Sequence, residues 1–185
     1  MSTQHIGTKN IETERLILRK FTLEDAPAMY SNWASDEEVT RYLTWPTHKN
    51  IEITESLLST WVKSYDNPAY YQWAIVPKSL NEPIGSIAVV HSDDSIKMAH
   101  VGYCIGKPWW GQGIMTESLN AVIHFLFNEV GMQRIECRHD TRNPASGAVM
   151  RKCGMQYEGT LRRADRNNQG ICDAAYYAIL APEEE

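Results

Sequence analysis

Residues 98–117 read Met-Ala-His-Val-Gly-Tyr-Cys-Ile-Gly-Lys-Pro-Trp-Trp-Gly-Gln-Gly-Ile-Met-Thr-Glu. Met98 to Ile105 has the composition of a strand, and the run from Thr116 to Phe127 is helix-like. Gly111 and Gly113 sit where strand gives way to helix. Backbone N–H groups at such a turn point outward from the positive end of a helix dipole, where they bind phosphate oxygens. Glycine suits the turn because a side chain would block close approach, or because φ must be positive. The pair alone is a weak signal. Position 116 is Thr, so there is no Gly-x-Gly-x-x-Gly, and no Gly-Lys-Ser/Thr follows as in a P-loop. The alternative is a helix entry that needs a tight turn.

Working outward, Arg15 to Phe21 reads as a first strand. Thr22 then caps a short helix, with Asp25 three residues on and Ala26, Met29 and Trp33 as its apolar stripe. A second helix spans about Ile51 to Ser64. Tyr71 to Val76 and Ile84 to His91 form a hairpin across Asn81-Glu82-Pro83, and Asp93-Asp94 turns the chain into Met98 to Ile105. The long helix, about Gln112 to Glu129, repeats Met115, Leu119, Val122, Ile123 and Leu126 at helical spacing and ends at Gly131. Arg134 to His139 is a strand. Asn143-Pro144 opens a helix that stops at Gly154, Asn suiting an N-cap and Pro the first helical position. Met155 to Arg163 and Asp173 to Leu180 are strands joined through Asn167-Asn168-Gln169-Gly170, and Glu183 to Glu185 form an acidic tail. This order predicts an α+β domain with a mostly antiparallel sheet, unlike the regular βα alternation of a dinucleotide fold.

At 185 residues, one domain over 1–185 is expected. A net charge of −5 speaks against a nucleic-acid partner. The polar stretch Met1 to Asn10 lacks the apolar core of a signal peptide, and no apolar run is long enough to span a membrane, so a cytoplasmic protein without a membrane partner is expected. Cys104, Cys137, Cys153 and Cys172 show no Cys-x-x-Cys spacing, so reduced buried thiols are expected and no metal site.

The turn's setting carries a resemblance. Thr13-Glu14-Arg15-Leu16-Ile17-Leu18-Arg19, Val101-Gly102-Tyr103-Cys104-Ile105, Trp110-Gly111-Gln112-Gly113-Ile114-Met115-Thr116-Glu117, Asn143-Pro144-Ala145-Ser146, Lys152-Cys153-Gly154-Met155 and Glu158-Gly159 together resemble the GNAT superfamily of N-acetyltransferases. Within it they are most similar to the Rim-type (RimJ/RimL-like) ribosomal-protein N-terminal acetyltransferases. The resemblance implies a GNAT fold of about seven strands and about four helices, splayed between the strands at 98–105 and 134–139. It implies acetyl-CoA in that gap, with the pyrophosphate on the N–H groups of Gln112, Gly113, Ile114, Met115 and Thr116. Two residues depart from the family's Gln/Arg-x-x-Gly-x-Gly/Ala pattern, Trp110 at its start and Met115 at its end. If the Met115 N–H is the donor, its side chain is free to enter the core.

The resemblance also implies roles. Asn143 would hydrogen-bond the pantetheine arm, with a plain N-cap as the alternative. Ser146 would protonate the departing thiolate, a modest contribution because a thiol near pKa 8.5 leaves fairly well unaided. N–H groups at Tyr103, Cys104 and Ile105 would stabilise the carbonyl oxygen. Asp165 aligns with a proposed base, one methylene shorter than the usual Glu, and otherwise is a surface loop charge. His100, with an ordinary pKa near 6.5, is a second base candidate or a satisfied strand histidine. An α-amine of pKa about 7.8 is roughly 15% neutral at pH 7, against roughly 0.04% for lysine, so a protein N-terminus needs only a proton acceptor. Tyr42 and Trp45 lie where the acceptor groove is expected.

The implied activity is direct acetyl transfer to a primary amine, most readily a ribosomal-protein N-terminal α-amine. The rivals are acetylation of a small amine (a polyamine, amino acid or antibiotic), a catalytically silent acyl-CoA sensor, and a nucleotide-binding module. A homodimer is compatible with exposed edge strands and aromatic loops.

Overall fold

The computed structural model describes residues 3–182 of the 185; Glu183 to Glu185 lie outside the described residues. One sheet holds every strand: β1 (Ile11–Glu12), β2 (Leu16–Arg19), β3 (Gln72–Pro77), β4 (Gly85–Asp93), β5 (Met98–Ile105), β6 (Arg134–Asp140), β7 (Gln156–Asn167) and β8 (Gly170–Leu180). Their order is β1-β2-β3-β4-β5-β6-β8-β7. All neighbours run antiparallel except β5 and β6, which are parallel. The helices are α1 (Ala26–Met29, continued by a wider turn Tyr30–Ala34), α2 (Glu37–Thr40), α3 (Ile51–Ser64), α4 (Ile114–Phe125, continued by Leu126–Val130) and α5 (Pro144–Lys152). Among the described residues the sheet thus has eight strands rather than about seven, because Ile11–Glu12 pairs with Ile17 and Leu18. Among the described residues there are five helices rather than about four, the addition being the single turn α2, whose N-cap Asp36 accepts from the Glu38 and Val39 amides.

Alternation along β3 sorts the core into two layers. Trp73 and Ile75 face α4 and join Leu119, Val122 and Leu126. Ala74 and Val76 face the other way, with Met29, Trp33 and Leu58 of α1 and α3. Leu119, Val122 and Leu126 are each wholly buried, and each contributes roughly 1.5–3 kcal/mol relative to exposure. The helical spacing read along α4 therefore anchors the crossover that carries the chain from β5 to its parallel partner β6.

That crossover sets up the cleft. β5 and β6 pair only at Met98↔Arg134, Ala99↔Ile135 and His100↔Glu136. Beyond His100, β5 stays with β4 as far as Ile105, while β6 stays with β8 as far as Asp140. The strands diverge, and their facing backbone edges from residues 101 and 137 onward open a gap, as the resemblance implied.

The final hairpin differs from the sequence reading. β7 continues through Asp165, which stands opposite Cys172, and only Asn168 and Gln169 lie between the strands. Polar residues dominate this stretch because β7 is the sheet edge and almost wholly solvated. A composition-based reading therefore mistakes it for loop.

Candidate active site

The loop entering α4 has the conformation that its glycines allow. Gly111 and Gly113 have φ of 73° and 76°, both in the left-handed region where a side chain is strained. Gly113 is the N-cap, and its carbonyl receives the Glu117 amide at 3.0 Å. Among the described residues, the amides of 111–116 have no acceptor, so the N-terminal turn of α4 presents a row of free donors. Met115 and Ile114 are buried, so Met115 offers its amide outward while its side chain packs in the core.

A clamp fixes this loop. Glu117 accepts from Thr13 Oγ1 at 2.6 Å, from the Arg15 amide at 3.0 Å and from Arg15 Nε at 2.7 Å. Burial opposes its charge, but these donors prevail and hold the carboxyl below its ordinary range. Arg15 Nη1 also reaches the Gln112 carbonyl at 3.0 Å. Trp110 Nε1 donates to the Ile105 carbonyl at 2.8 Å, pinning the loop to the end of β5.

The gap supplies further donors. The Val101 amide is directed at the Cys137 sulfur across the strands. Alternation then turns the Tyr103 and Ile105 amides the same way, into the gap, and the Cys104 amide toward β4, where Ser86 is its register partner. Of these three amides, those of Tyr103 and Ile105 face the gap and that of Cys104 faces β4.

On the far side of the gap, Asn143 occupies the N-cap position of α5, yet its side chain makes no cap bond and finds no partner among the described residues. The capping alternative is thus not realised, and the amide group is free. Ser146 is in the first turn of α5, and its Oγ lies 3.1 Å from the Tyr103 hydroxyl. Close packing of α5 on β6 needs Gly147, because a Cβ there would collide with the His139 ring.

The opposite face of the cleft carries charge. His100 is buried, and its Nδ1 lies 3.3 Å from Glu136 Oε1. Burial, then the nearby Arg138 charge, lower its pKa below the ordinary 6.5. Asp165 is bound to Arg138, with Nε donating to Oδ2 at 2.7 Å. Glu136 in turn accepts from Arg134 at 3.2 Å. His100, Glu136, Arg138 and Asp165 thus share one face, as alternation with buried Ile135 and Cys137 requires. Glu136 and Arg138 escape a motif-based reading. The signal for them is the strand Arg-Ile-Glu-Cys-Arg, in which charged and apolar residues alternate.

Tyr42 and Trp45 lie in the loop after α2, and the β7–β8 turn is tied to that loop. Asn168 Nδ2 donates to the Thr40 and Trp45 carbonyls, each at 2.8 Å. Behind the turn, Asp140 receives Arg142 at 2.6 Å and Asn167 at 2.8 Å. Arg142, against the cost of burial, holds the Asp140 carboxyl far below its ordinary range. Two surface concavities flank the α4 loop, about 370 Å³ beside Arg15, Lys78 and Trp109 and about 870 Å³ beside Thr13, Glu117 and His124. Neither is lined by Tyr103, Asn143 or Ser146.

Burial pushes every thiol up: Cys153 and Cys172 to about 11, and Cys104 and Cys137 also above their ordinary value. None is poised as a thiolate nucleophile. Among the described residues no cluster of His, Cys, Asp and Glu could hold a metal ion, and no helix is long and apolar enough to cross a membrane.

The family model for the acetyltransferase (GNAT) domain matches residues 15–156. The uncharacterized N-acetyltransferase YoaA of Bacillus subtilis (strain 168) is 33% identical over 94% of this chain and 98% of its own length. The ribosomal-protein-serine acetyltransferase of Escherichia coli (strain K12) is 34% identical over 54% of this chain and 56% of its own. A solved RimL structure, a ribosomal alpha-N-protein acetyltransferase in complex with coenzyme A, superposes with a TM-score of 0.82 at 23% identity, covering 93% of this chain and 98% of that one. The splayed sheet, the donor-rich loop at α4 and the family match lead to one conclusion: this chain belongs to the GNAT family of acetyltransferases and is an acyltransferase enzyme of N-acetyltransferase type.

Proposed function

We propose that residues 1–185 act as one domain that moves the acetyl group of acetyl-CoA to a protein N-terminal α-amine of ribosomal-protein type. The observation that carries the reading is the gap itself. Two unpaired strand edges are flanked by free amides at 112–116 on one side and the unpartnered Asn143 side chain on the other. In this reading the amides of Gln112 to Thr116 hold the pyrophosphate. Asn143 takes an amide of the pantetheine arm. Tyr103 and Ile105 direct their N–H groups at the thioester carbonyl, where charge grows on oxygen. The names of the Rim-type relatives support the acceptor class.

His100 is the better placed proton acceptor. Glu136 takes its Nδ1–H, which leaves Nε2 with its lone pair, and the lowered pKa keeps the ring neutral at pH 7. Because the ring is 6% exposed, a water carries the proton to it. Asp165 already has its carboxylate engaged by Arg138 at 2.7 Å. The raised thiol pKa values favour direct attack over an acyl-cysteine.

The test is incubation with acetyl-CoA and a panel of amines, reading free thiol release. Turnover with peptides bearing a ribosomal-protein N-terminus, and little with polyamines or free amino acids, is expected. Turnover confined to small amines overturns the acceptor assignment, and tight CoA binding without any turnover indicates a sensor.

A further inference from the structure

We infer that Tyr103 is a positioning residue for Ser146: its phenol orients the serine hydroxyl so that the Ser146 O–H is donated to the sulfur that leaves. The inference rests on the proposed function and concerns the same cleft. Tyr103 stands on β5 and Ser146 on α5, 43 residues apart in sequence, so the contact spans the gap. The phenol donates to the Ser146 carbonyl at 3.1 Å, and its oxygen lies 3.1 Å from Ser146 Oγ, so the carbonyl and Oγ compete for its one proton. Burial, the largest influence, raises the Tyr103 pKa well above 10, so the phenol keeps its proton and is a donor. A phenol has one proton and a serine hydroxyl one proton and two lone pairs. When the phenol proton turns from the carbonyl to Oγ, the serine proton must turn elsewhere. Among the described residues Oγ has no other partner, so that proton is free for a ligand in the gap.

The chemistry needs a hydrogen-bond donor here rather than a proton donor. The amine forms the new C–N bond, the C–S bond breaks and its electron pair goes to sulfur. The nitrogen's proton leaves through water to His100. A thiolate of pKa about 8.5 is too weak a base to take a serine or tyrosine proton, so both hydroxyls stay protonated and the chain Tyr103 to Ser146 to sulfur stabilises the negative charge. The thiolate is protonated afterwards by solvent. Donation from Tyr103 polarises the serine O–H and strengthens the second bond in the chain.

The experiment compares wild type, Tyr103→Phe, Ser146→Ala and the double variant. It reads kcat and KM with acetyl-CoA, and the pKa of the thiol of bound CoA by thiolate ultraviolet absorbance, with desulfo-CoA as the blank. The protein's own thiols titrate higher, Cys153 and Cys172 at about 11, and do not obscure the signal. Ser146→Ala is expected to lower kcat roughly tenfold to a hundredfold, below the usual general-acid range. Tyr103→Phe is expected to lower kcat roughly threefold to tenfold with KM unchanged, the size of one hydrogen bond. Bound CoA should have a thiol pKa below that of free CoA in wild type, and Tyr103→Phe should raise it. In the Ser146→Ala background Tyr103→Phe should cost nothing further. An equal cost in both backgrounds, or a thiol pKa that Tyr103→Phe leaves unmoved, overturns the positioning role while leaving the proposed function standing. A folded wild type that binds no CoA overturns both.

Discussion

His100 and Glu136 are the last residues that join β5 to β6, and their side chains meet at 3.3 Å where the two strands part. The pair sits at the closed end of the cleft, so the imidazole faces the start of the gap with one nitrogen already committed. His100→Gln is expected to lower kcat/KM for an α-amine roughly a hundredfold at pH 7, within the general-base range. Retention of more than a third of the activity would remove His100 from the reaction.

The pH dependence follows from the direction of the His100 shift. Its folded pKa is lowered by burial and Arg138, so the ring is neutral throughout the range above the ordinary 6.5 and gains its proton only below that. kcat/KM should therefore climb through the amine's own pKa near 7.8 and show a second fall below 6.5. Glu136 opposes the lowering, so Glu136→Gln should move that second limb to lower pH. A limb that moves to higher pH, or does not exist in wild type, would contradict the assignment.

Asp165 offers the contrasting case. Its carboxylate is paired with Arg138 at 2.7 Å and also accepts the Arg166 amide at 2.8 Å. Asp165→Asn is expected to lower kcat less than roughly tenfold, the effect of loosening Arg138 beside His100. A loss of a hundredfold or more with unchanged thermal stability would transfer the base role from His100 to Asp165.

Much of this cleft is legible in the chain before it folds. Gly111, Gly113 and Asn143-Pro144 act through local backbone geometry, which survives any tertiary context. The parallel step from β5 to β6 follows from a long helix between two strands. Glu136 and Arg138 are hidden because nothing local marks them. Only the register of β5 on β6, and of β6 on β8, brings them beside His100 and Asp165. Asp165 itself reads as a loop charge because an edge strand has the polarity of a loop. Met115 teaches a related point. Its side chain is 7% exposed, so Met115→Glu would bury a charge in the core and report on folding rather than on phosphate.

Thr116→Glu is the cleaner probe of the loop. Thr116 is half-buried in the first turn of α4, where a carboxylate is compatible with the helix dipole. Thermal stability should hold or rise slightly, while CoA affinity should fall roughly tenfold or more through repulsion of the pyrophosphate. Unchanged affinity would place the phosphates elsewhere.

Asn143→Ala separates ligand binding from capping. Because the side chain makes no cap bond, the melting temperature should barely move, a change within about 0.5 kcal/mol. CoA affinity should drop roughly fivefold, the worth of a hydrogen bond to the ligand. A large loss of stability with unchanged affinity would return Asn143 to a structural role.

The most direct test is to incubate the protein with isotopically labelled acetyl-CoA and a cell extract, and to identify every labelled species by mass spectrometry. One acetyl group on the N-terminal α-amine of a ribosomal protein, lost in His100→Gln, is the predicted result. Label found only on small amines, or none in any species while CoA is bound, would contradict it.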